Sequence, residues 1–314
     1  MLPDGKGAPS VSSREPWWVR FAPVIFVLLW SGGFPVGKVG IHSAGPMTFL
    51  AIRYLLVIAV MLPLLIVLRP PMPKGAEWRH LAVVGLLIQG CYFGLGYLSL
   101  ALGVSAGIAA LISSLQPIAT ALLAPRLAGE HISPRAWLGL GLGLAGAAIV
   151  IVTKSGIGAT STSGLIAAFG ALAMMTAGTF YEKRFGVTQH PVPANLVQHG
   201  VALAGLLPVA LFAEGFRVES RPSLWISLAY LVIGNSVIAV GLLLAMVRRG
   251  RVSRVSALFF LVPPLAAVIA WLLLGEQMPS LAWAGFVVAA AGVALAAGVR
   301  LPGRAPAIPV EERS

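Results

Sequence analysis

Apolar residues fill most of the chain in long uninterrupted runs, and short polar segments separate these runs. Each run approaches the ~20 residues that an α-helix needs to cross the hydrocarbon core of a bilayer. The runs are continuously apolar and do not alternate, which favours helices over the strands of a membrane barrel. We therefore predict ten spans, near residues 19–41, 46–68, 79–100, 103–127, 136–153, 163–184, 193–213, 223–247, 252–275 and 279–299.

The same pattern occurs twice, and one fixed offset of 146 residues aligns the two copies. The aligned positions include Pro117 with Pro263, Gly129 and Glu130 with Gly275 and Glu276, Trp137 with Trp283, Gly139 with Gly285, and Gly146 with Gly292. Each copy holds five predicted spans. Because five is odd, the second copy must be inverted in the bilayer, an arrangement that many secondary transporters have.

This division predicts four segments along the chain. Residues 19–153 form a first five-helix repeat, and residues 154–299 form a second, inverted one. Residues 1–18 and 300–314 are tails. The fold class is thus an all-α integral membrane protein, with two inverted five-helix repeats around a central cavity.

Basic residues set the orientation of the spans. With the N-terminus inside, 17 of the 22 Lys and Arg residues fall in cytoplasmic segments. The remaining five are Lys38, Arg53, Lys154, Arg217 and Arg221. Cytoplasmic loops carry an excess of Lys and Arg, so we expect both termini in the cytoplasm and the protein in the cytoplasmic membrane.

Composition narrows the class further. Hydrophobic residues make up 58% of the chain and charged residues only 10%, which excludes a soluble domain. The formal charge of +12 lies in short loops between spans, so membrane topology explains it and nucleic-acid binding is not expected. The single cysteine, Cys91, excludes a disulfide framework and a cysteine-based metal site, and we expect neither cofactor nor metal.

Three segments resemble the drug/metabolite transporter superfamily of EamA type. They are LLWSGGFPVGKVGI in the first span, SAGIAALISSLQPIATALLAPRLAGE in the fourth and GRVSRVSALFFLVPPLAAVIAWLLLGE in the ninth. The resemblance implies ten helices in an inverted five-plus-five arrangement, with spans 5 and 10 outside the central cavity. It also implies transport of small metabolites, often amino acids or their relatives, commonly outward.

The fifth and tenth spans contain almost no hydrogen-bonding side chains, so neither can line a polar path. Their Gly and Ala spacing suits close helix packing. We favour packing within one chain over contact between two copies, which leaves a monomer or a homodimer open.

Two amides occupy equivalent positions in the two repeats. Gln89 in the third span aligns with Asn235 in the eighth, each near mid-span. Midplane positions of inverted repeats map onto each other, and transporter sites lie there. The amides either face one another across the pseudo-symmetry axis as a substrate site or simply bridge neighbouring helices.

The same offset aligns Arg53 with His199. An intramembrane Arg is costly and therefore a functional candidate, as a substrate contact or a gate. Arg53 lies only ~10 Å from the predicted outer end of its helix, so snorkelling to the interface or plain packing is the alternative. His199 is a candidate proton site, with a hydrogen-bonded structural role as the alternative.

Lys38 and Arg184 form a third aligned pair, one at the outer end of the first span and one at the inner end of the sixth. A cation at each mouth could attract anions or carboxylates, or each could cap a helix C-terminus. We favour capping for Arg184. Lys38 matches a basic position that recurs in the first span of the family, which favours a role in gating or charge.

Further side chains are candidates for the cavity wall. The aromatic ones are Trp30, Tyr92, Tyr97 and Tyr181, and those with hydroxyls or an amide just before Pro117 are Ser113, Ser114 and Gln116. The counterparts of the second group, Phe259, Phe260 and Val262, are apolar. A cavity with one polar and one apolar wall suits an amphipathic cargo.

No carboxylate lies at mid-depth in any predicted span, which favours a neutral, zwitterionic or weakly anionic cargo. No catalytic constellation or nucleotide fingerprint is present, so an enzyme is not expected. We therefore predict a secondary transporter of small amphipathic metabolites, chiefly amino acids or related compounds. It would work by alternating access, and the family resemblance alone implies the outward direction. A channel or a non-transporting membrane scaffold is the alternative.

Overall fold

A computed structural model of the chain describes residues 18–116, 118–120, 123, 133–155, 161–185, 189–239, 242, 246 and 261–296. These residues are helical apart from short connections. Within the described ranges the only β pairing is an isolated antiparallel bridge between Ala44 and Val218.

Two sets of helices follow each other along the chain. The first set is α1 (Trp18–Ser31), α2 (Gly33–Ile41), α3 (Pro46–Leu68), α4 (Glu77–Val84), π1 (Gly85–Tyr92), α5 (Phe93–Ala101), α6 (Ala106–Ser114) and α7 (Pro134–Ser155). The second set is α8 (Thr162–Phe185), α9 (Pro191–Phe212), α10 (Pro222–Ala229), π2 (Tyr230–Ala239), α11 (Val262–Leu274) and α12 (Ser280–Ala296).

Six helical segments among the described residues are long and apolar enough to cross a bilayer. They are Phe21–Ile41, Pro46–Leu68, Glu77–Ala101, Thr162–Glu182, Pro191–Phe212 and Pro222–Ala239. Each coincides with a predicted span. The other four predicted spans contain the shorter apolar helices α6, α7, α11 and α12, so the structure supports a multi-pass helical fold.

Prolines and polar caps set the helix boundaries. Proline stands at the start of α3, α9 and α10, where its missing N–H costs no helical hydrogen bond. The carboxylate of Glu214 accepts hydrogen bonds from the backbone N–H groups of Met47 and Thr48, at 3.0 and 2.8 Å. A negative charge at this helix start offsets the positive end of the helix dipole.

The first membrane segment is broken into α1 and α2 at Gly32. Pro35, one turn into α2, has no N–H to donate to the backbone oxygen of Ser31. Gly32 also lies against another helix, since a Cβ built there would come within 3.1 Å of three atoms of the Tyr230 ring and hydroxyl. The break therefore exposes backbone carbonyls inside the bundle and lets a side chain approach them.

Two π-helical segments occupy equivalent places in the two halves. The offset of 146 residues carries π1 onto residues 231–238, which lie within π2. π-Helical turns widen the backbone and often mark functional sites. They place the sequence-predicted amides Gln89 and Asn235 on equivalent irregular stretches.

Among the described residues, the most extensive contact between two helices joins α7 to α12, the fifth helices of the two predicted repeats. A Cβ added to Gly146 would lie 2.6 Å from the carbonyl oxygen of Gly285, and one added to Gly292 would lie 2.6 Å from that of Gly139. The two contacts exchange under the 146-residue offset. They also show that α7 and α12 run antiparallel, and that these glycines pack within one chain.

A second equivalent pair, α3 and α9, also runs antiparallel. Met47 near the start of α3 shares a buried cluster with Ala210 near the end of α9. Tyr54 and His199 each lie about two turns from the start of their helix. Their rings meet edge to face with centres 5.1 Å apart. Equivalent helices thus meet in opposite directions at two separate places.

Replacing Gly146 tests the close contact between α7 and α12. A Cβ there would also lie 2.3 Å from the backbone nitrogen of Ala289, so Gly146→Ala should force the helices apart and lower stability by about 1–3 kcal/mol. Thermal unfolding in detergent micelles, followed by tryptophan fluorescence, measures the effect as a lower Tm.

Gly141→Ala is the matched control, because nothing lies within 4 Å of a Cβ at this position of the same helix. Its Tm should stay unchanged or rise slightly, since Ala is the better helix former by about 1 kcal/mol. Equal Tm changes for the two variants would contradict the assigned contact.

Candidate functional site

Arg53 lies inside the helix bundle and is only 3% exposed. Its Nη2 donates to the hydroxyl of Ser236 at 3.2 Å, and its Nη1 donates to the hydroxyl of Tyr97 at 3.5 Å. The guanidinium carbon stands 5.0 Å from the centre of the Phe93 ring, a cation–π distance. Arg53 therefore joins α3 to α5 and π2, which belong to different halves of the chain.

Aromatic and hydroxyl groups surround this guanidinium. The ring of Tyr92 packs on that of Phe93 with centres 4.8 Å apart, and the rings of Tyr54 and His199 meet edge to face at 5.1 Å. The Tyr54 hydroxyl donates to the backbone oxygen of Gln89. We call the residues Arg53, Tyr54, Tyr92, Phe93, Tyr97, His199 and Ser236 the Arg53 cluster.

No carboxylate of a described residue pairs with Arg53. The described acidic side chains are all glutamates, at positions 77, 182, 214, 219 and 276. Glu77 accepts from Gln189, Glu214 caps α3, and Glu219 and Glu276 pair with other cations. Glu182 is exposed near the end of α8. The nitrogen Nε of Arg53 has no hydrogen-bond partner although it is buried.

The break in the first membrane segment is satisfied from the second half of the chain. The Tyr230 hydroxyl donates to the backbone oxygen of Leu29 at 2.9 Å, and Nδ2 of Asn235 donates to the same oxygen at 3.3 Å. Both donors come from π2. Asn235 also lies against the second glycine of the break, since a Cβ on Gly33 would be 3.4 Å from its Nδ2.

An ion pair joins the end of α2 to the segment after α11. Nζ of Lys38 lies 2.7 Å from Oε1 of Glu276, and the two side chains are 16% and 11% exposed. Lys38 also donates to the backbone oxygen of Val104 at 3.0 Å, and the N–H of Ala106 donates to Glu276 at 3.3 Å. This contact links the end of α2, the start of α6 and the segment after α11, which lies in the other half of the chain.

A cavity of about 700 Å³ lies along α8, with Ala119 and Leu123 from the segment after α6 on its other side. Its wall is largely apolar and includes Phe169 and Phe180, with the hydroxyls of Thr176 and Tyr181 as polar groups. Arg184 stands at the end of α8 and lines the same cavity. A volume of this size fits a small metabolite with an apolar part.

The structure brings several sequence-predicted site residues together. Arg53, Tyr92, Tyr97 and His199 belong to the Arg53 cluster. Ser113 bonds to the Tyr92 side chain. Gln89 joins through its backbone oxygen.

The other predicted site residues lie elsewhere. Trp30 packs on Phe26 with ring centres 5.4 Å apart, and Ser114 donates to the Leu111 backbone oxygen at 2.7 Å. The amide of Gln116 donates to Thr120 and Thr179.

Tyr181 and the side-chain amide of Asn235 also form their hydrogen bonds outside the cluster. The hydroxyl of Tyr181 is 3.0 Å from Nδ1 of His80. Among the described contacts no hydrogen bond joins the side chains of Gln89 and Asn235.

Burial counts against snorkelling for Arg53 and bears on the alternatives for His199. Arg53 points into the bundle and does not reach the interface, because Ser236 and Tyr97 hold its guanidinium. His199 is 3% exposed, and its Nδ1–H donates to the backbone oxygen of Asn195 at 2.9 Å. This hydrogen bond within α9 is what a structural role of His199 predicts.

Four residues of the site escaped the sequence analysis: Tyr54, Phe93, Tyr230 and Ser236. Three of them are chain neighbours of predicted residues, which is the signal that could have identified them. Tyr54 follows Arg53, Phe93 follows Tyr92, and Ser236 follows Asn235.

Two predicted features lie outside the described residues. The apolar wall formed by Phe259 and Phe260 is one of them. The repeated Gly-Glu pair at Gly129–Glu130 is the other.

Comparison with known proteins places the chain among membrane transporters. Residues 17–152 and 162–298 match the EamA-like transporter family. A probable amino-acid metabolite efflux pump of Salmonella typhimurium is 27% identical over 285 residues, which cover 87% of this chain and 92% of that protein. An uncharacterized inner membrane transporter of Escherichia coli, YedA, is 23% identical over 263 residues, or 82% of this chain and 83% of that protein.

A crystal structure with 22% sequence identity has the same fold. It superimposes with a TM-score of 0.57 and covers 89% of this chain and 96% of that chain. At this identity the likeness concerns the fold alone.

The Lys38–Glu276 ion pair should stabilise the protein measurably. Lys38→Met and Glu276→Gln should each lower the free energy of unfolding, and a double-mutant cycle should give a coupling of about 1–3 kcal/mol, as expected for a shielded charge-assisted hydrogen bond. Reversible denaturation in mixed micelles provides the four stabilities.

The exposed pair Arg221–Glu219 is the matched control, with side chains 67% and 61% exposed. Its cycle, from Arg221→Gln and Glu219→Gln, should give a coupling below about 1 kcal/mol, because solvent screens exposed pairs. Equal couplings in the two cycles would show that the Lys38 contact has no special weight.

Proposed function

The chain belongs to the EamA-like transporter family, and on this premise we propose that it is a secondary transporter of small amphipathic metabolites. The expected cargo is an amino acid or a related compound. Movement is outward across the cytoplasmic membrane, by alternating access. The observation that carries this proposal is the Arg53 cluster, a buried polar site built from both halves of the chain.

The proposed architecture is ten spans in two inverted five-helix repeats, residues 19–153 and 154–299. The antiparallel contacts α7 with α12 and α3 with α9 support it, because equivalent helices of an inverted repeat must run in opposite directions. The tails 1–18 and 300–314 are cytoplasmic in this proposal, as the distribution of Lys and Arg favours.

The substrate site of the proposal lies between the repeats. Arg53 and Tyr97 come from the first repeat, and His199 and Ser236 come from the second. A rocking motion of one repeat against the other would change these distances directly. Cargo contact and conformational change are then coupled through the same side chains.

The broken first helix supports the same location. Transporter sites commonly use discontinuous helices, whose freed backbone groups are satisfied by side chains or cargo. Here Tyr230 and Asn235 hold the freed oxygen of Leu29. Asn235 and its counterpart Gln89 therefore belong to the proposed transport path.

Lys38 and Glu276 form the outer gate in this proposal. The predicted topology puts the end of α2, the connection before α6 and the segment after α11 on the outer side. The ion pair closes that side by joining the two repeats. The 700 Å³ cavity extends along α8 to Arg184, at the predicted inner end of that helix, which supports an inward-facing state.

The name of one relative and the residues that line the cavity support the proposed class of cargo. The relative from Salmonella typhimurium carries the name of a probable amino-acid metabolite efflux pump, which supports amino-acid-like cargo and outward movement. The cavity offers an apolar wall with few polar groups, as an amphipathic solute requires.

Counterflow in proteoliposomes tests the proposed function. Vesicles preloaded with one unlabelled solute from a panel of amino acids, sugars and organic acids should accumulate the same labelled solute transiently. Uptake should saturate with concentration, because a carrier binds its cargo before it moves. Protein-free vesicles supply the background.

The two alternatives give different results in the same assay. A channel gives flux that neither saturates nor responds to solute on the opposite side. A scaffold gives no flux above background for any member of the panel. Either result, with a monodisperse folded sample, would refute the carrier mechanism.

Substituting the aligned amides tests the proposed path. Asn235→Ala removes the hydrogen bond to the Leu29 oxygen, and Gln89→Ala removes the amide proposed to contact the cargo. Each should lower the transport rate about tenfold or more with little loss of membrane expression, since one such hydrogen bond contributes about 1–3 kcal/mol. Initial rates normalised to purified protein measure the effect.

Asn195→Ala is the matched control, because among the described residues its side-chain amide bonds only to the Pro191 oxygen of the same helix. It should transport at the rate of the unmodified protein. Full rates for Gln89→Ala and Asn235→Ala would make both amides packing residues.

A further inference from the structure

Arg53 carries a permanent charge inside the bundle. A guanidinium does not lose its proton in proteins, so burial cannot neutralise it as it can a lysine. Charges in the membrane interior are costly unless they are paired. Every described glutamate is engaged or exposed elsewhere, as shown above, so the protein supplies no described counter-ion.

The neighbouring groups lower this cost without cancelling the charge. Ser236 and Tyr97 accept one hydrogen bond each, the latter at a long 3.5 Å. His199 offers no compensating negative charge. The guanidinium has five N–H donors in a rigid fork, and the one on Nε is buried without a partner.

We propose that the guanidinium of Arg53 binds the carboxylate of the cargo, so that the transported class is organic monocarboxylates, zwitterionic amino acids included. This inference rests on the proposed function and names the group that its site recognises. Arg is well suited to carboxylates, because its fork can donate two parallel hydrogen bonds to the two oxygens.

The surroundings favour one carboxylate over a multiply charged anion. No second cation of the described chain shares the cluster, and Lys38 is engaged by Glu276. One positive charge balances one carboxylate, whereas a phosphate dianion would leave net charge in the bundle. Tyr54, Tyr92 and Phe93 beside Arg53 supply aromatic surface for the apolar remainder of the cargo.

Matched cargo pairs test this assignment. For each amino acid that shows counterflow, transport is compared with that of its carboxamide, which has the same shape without the carboxylate charge. The unmodified protein should prefer the acid by about 10- to 100-fold in transport efficiency, the range of a charge-assisted hydrogen bond. In Arg53→Gln this preference should fall to about one, mainly through loss of acid transport.

Two further variants separate binding from folding. Arg53→Lys keeps the charge without the fork and should retain a weakened preference for the acid. Arg217→Gln, at an exposed position in a connection, should leave the preference unchanged. A Tm shift of the purified protein on addition of the acid, present in the unmodified protein and lost in Arg53→Gln, reports binding without transport.

Each other outcome overturns the assignment. If Arg53→Gln lowers acid and amide transport equally, with the preference kept, Arg53 is structural. If flux and Tm follow the chloride concentration and ignore the acid–amide difference, the guanidinium holds an inorganic ion. If Arg53→Gln does not fold, the decision rests on two other measurements. The carboxylate assignment is refuted if Arg53→Lys keeps the full preference for the acid and the acid causes no Tm shift in the unmodified protein. Absence of counterflow with any solute refutes the proposed function itself, which is a distinct result.

Discussion

Hydrocarbon offers no hydrogen bonds to the backbone, and this constraint governs the arrangement of the helices. A straight helix satisfies its own N–H and carbonyl groups, but a broken one needs partners from outside. The first membrane segment is broken at Gly32, and the donors that reach the freed oxygen of Leu29 are Tyr230 and Asn235. A break in one half of the chain is therefore stable only because the other half closes over it. The same dependence ties any displacement of the halves to the local structure of the first helix.

Close packing supplies the second constraint. Without a hydrophobic drive between helices in lipid, their association relies on short backbone distances. Gly146 and Gly292 provide these distances, each meeting a glycine of the opposite half. The contact is self-complementary, since the offset that relates the repeats also exchanges its two sides. α7 and α12 can thus act as a fixed support while helices nearer the Arg53 cluster move.

Sequence alone predicts much of the frame and less of the site. Apolar length and the 146-residue offset predict the α3 bounds of 46–68 and the equivalence of Arg53 with His199. The pairing of Lys38 with Glu276 was not predicted, because 238 residues separate them and no local pattern records a contact between loops. The π-helical turns were also missed, since their residues are as apolar as those of ordinary spans. The direction of a side chain inside a bundle depends on neighbouring helices that sequence periodicity does not specify. The sequence therefore does not decide whether Arg53 points into the bundle or towards the membrane interface.

The two halves share a skeleton but not their polar groups. Arg53 and His199 occupy equivalent positions on crossing helices, yet one is a cation and the other donates to its own helix. Two cations at this crossing would repel each other across a region of low dielectric. In the proposed mechanism, a symmetric skeleton would let the two halves exchange roles between inward-facing and outward-facing states at similar energy. Because Arg53 is charged and its counterpart His199 is not a second fixed cation, the skeleton has one charged site at this crossing in place of two. In the proposed mechanism a single cargo carboxylate would neutralise that charge.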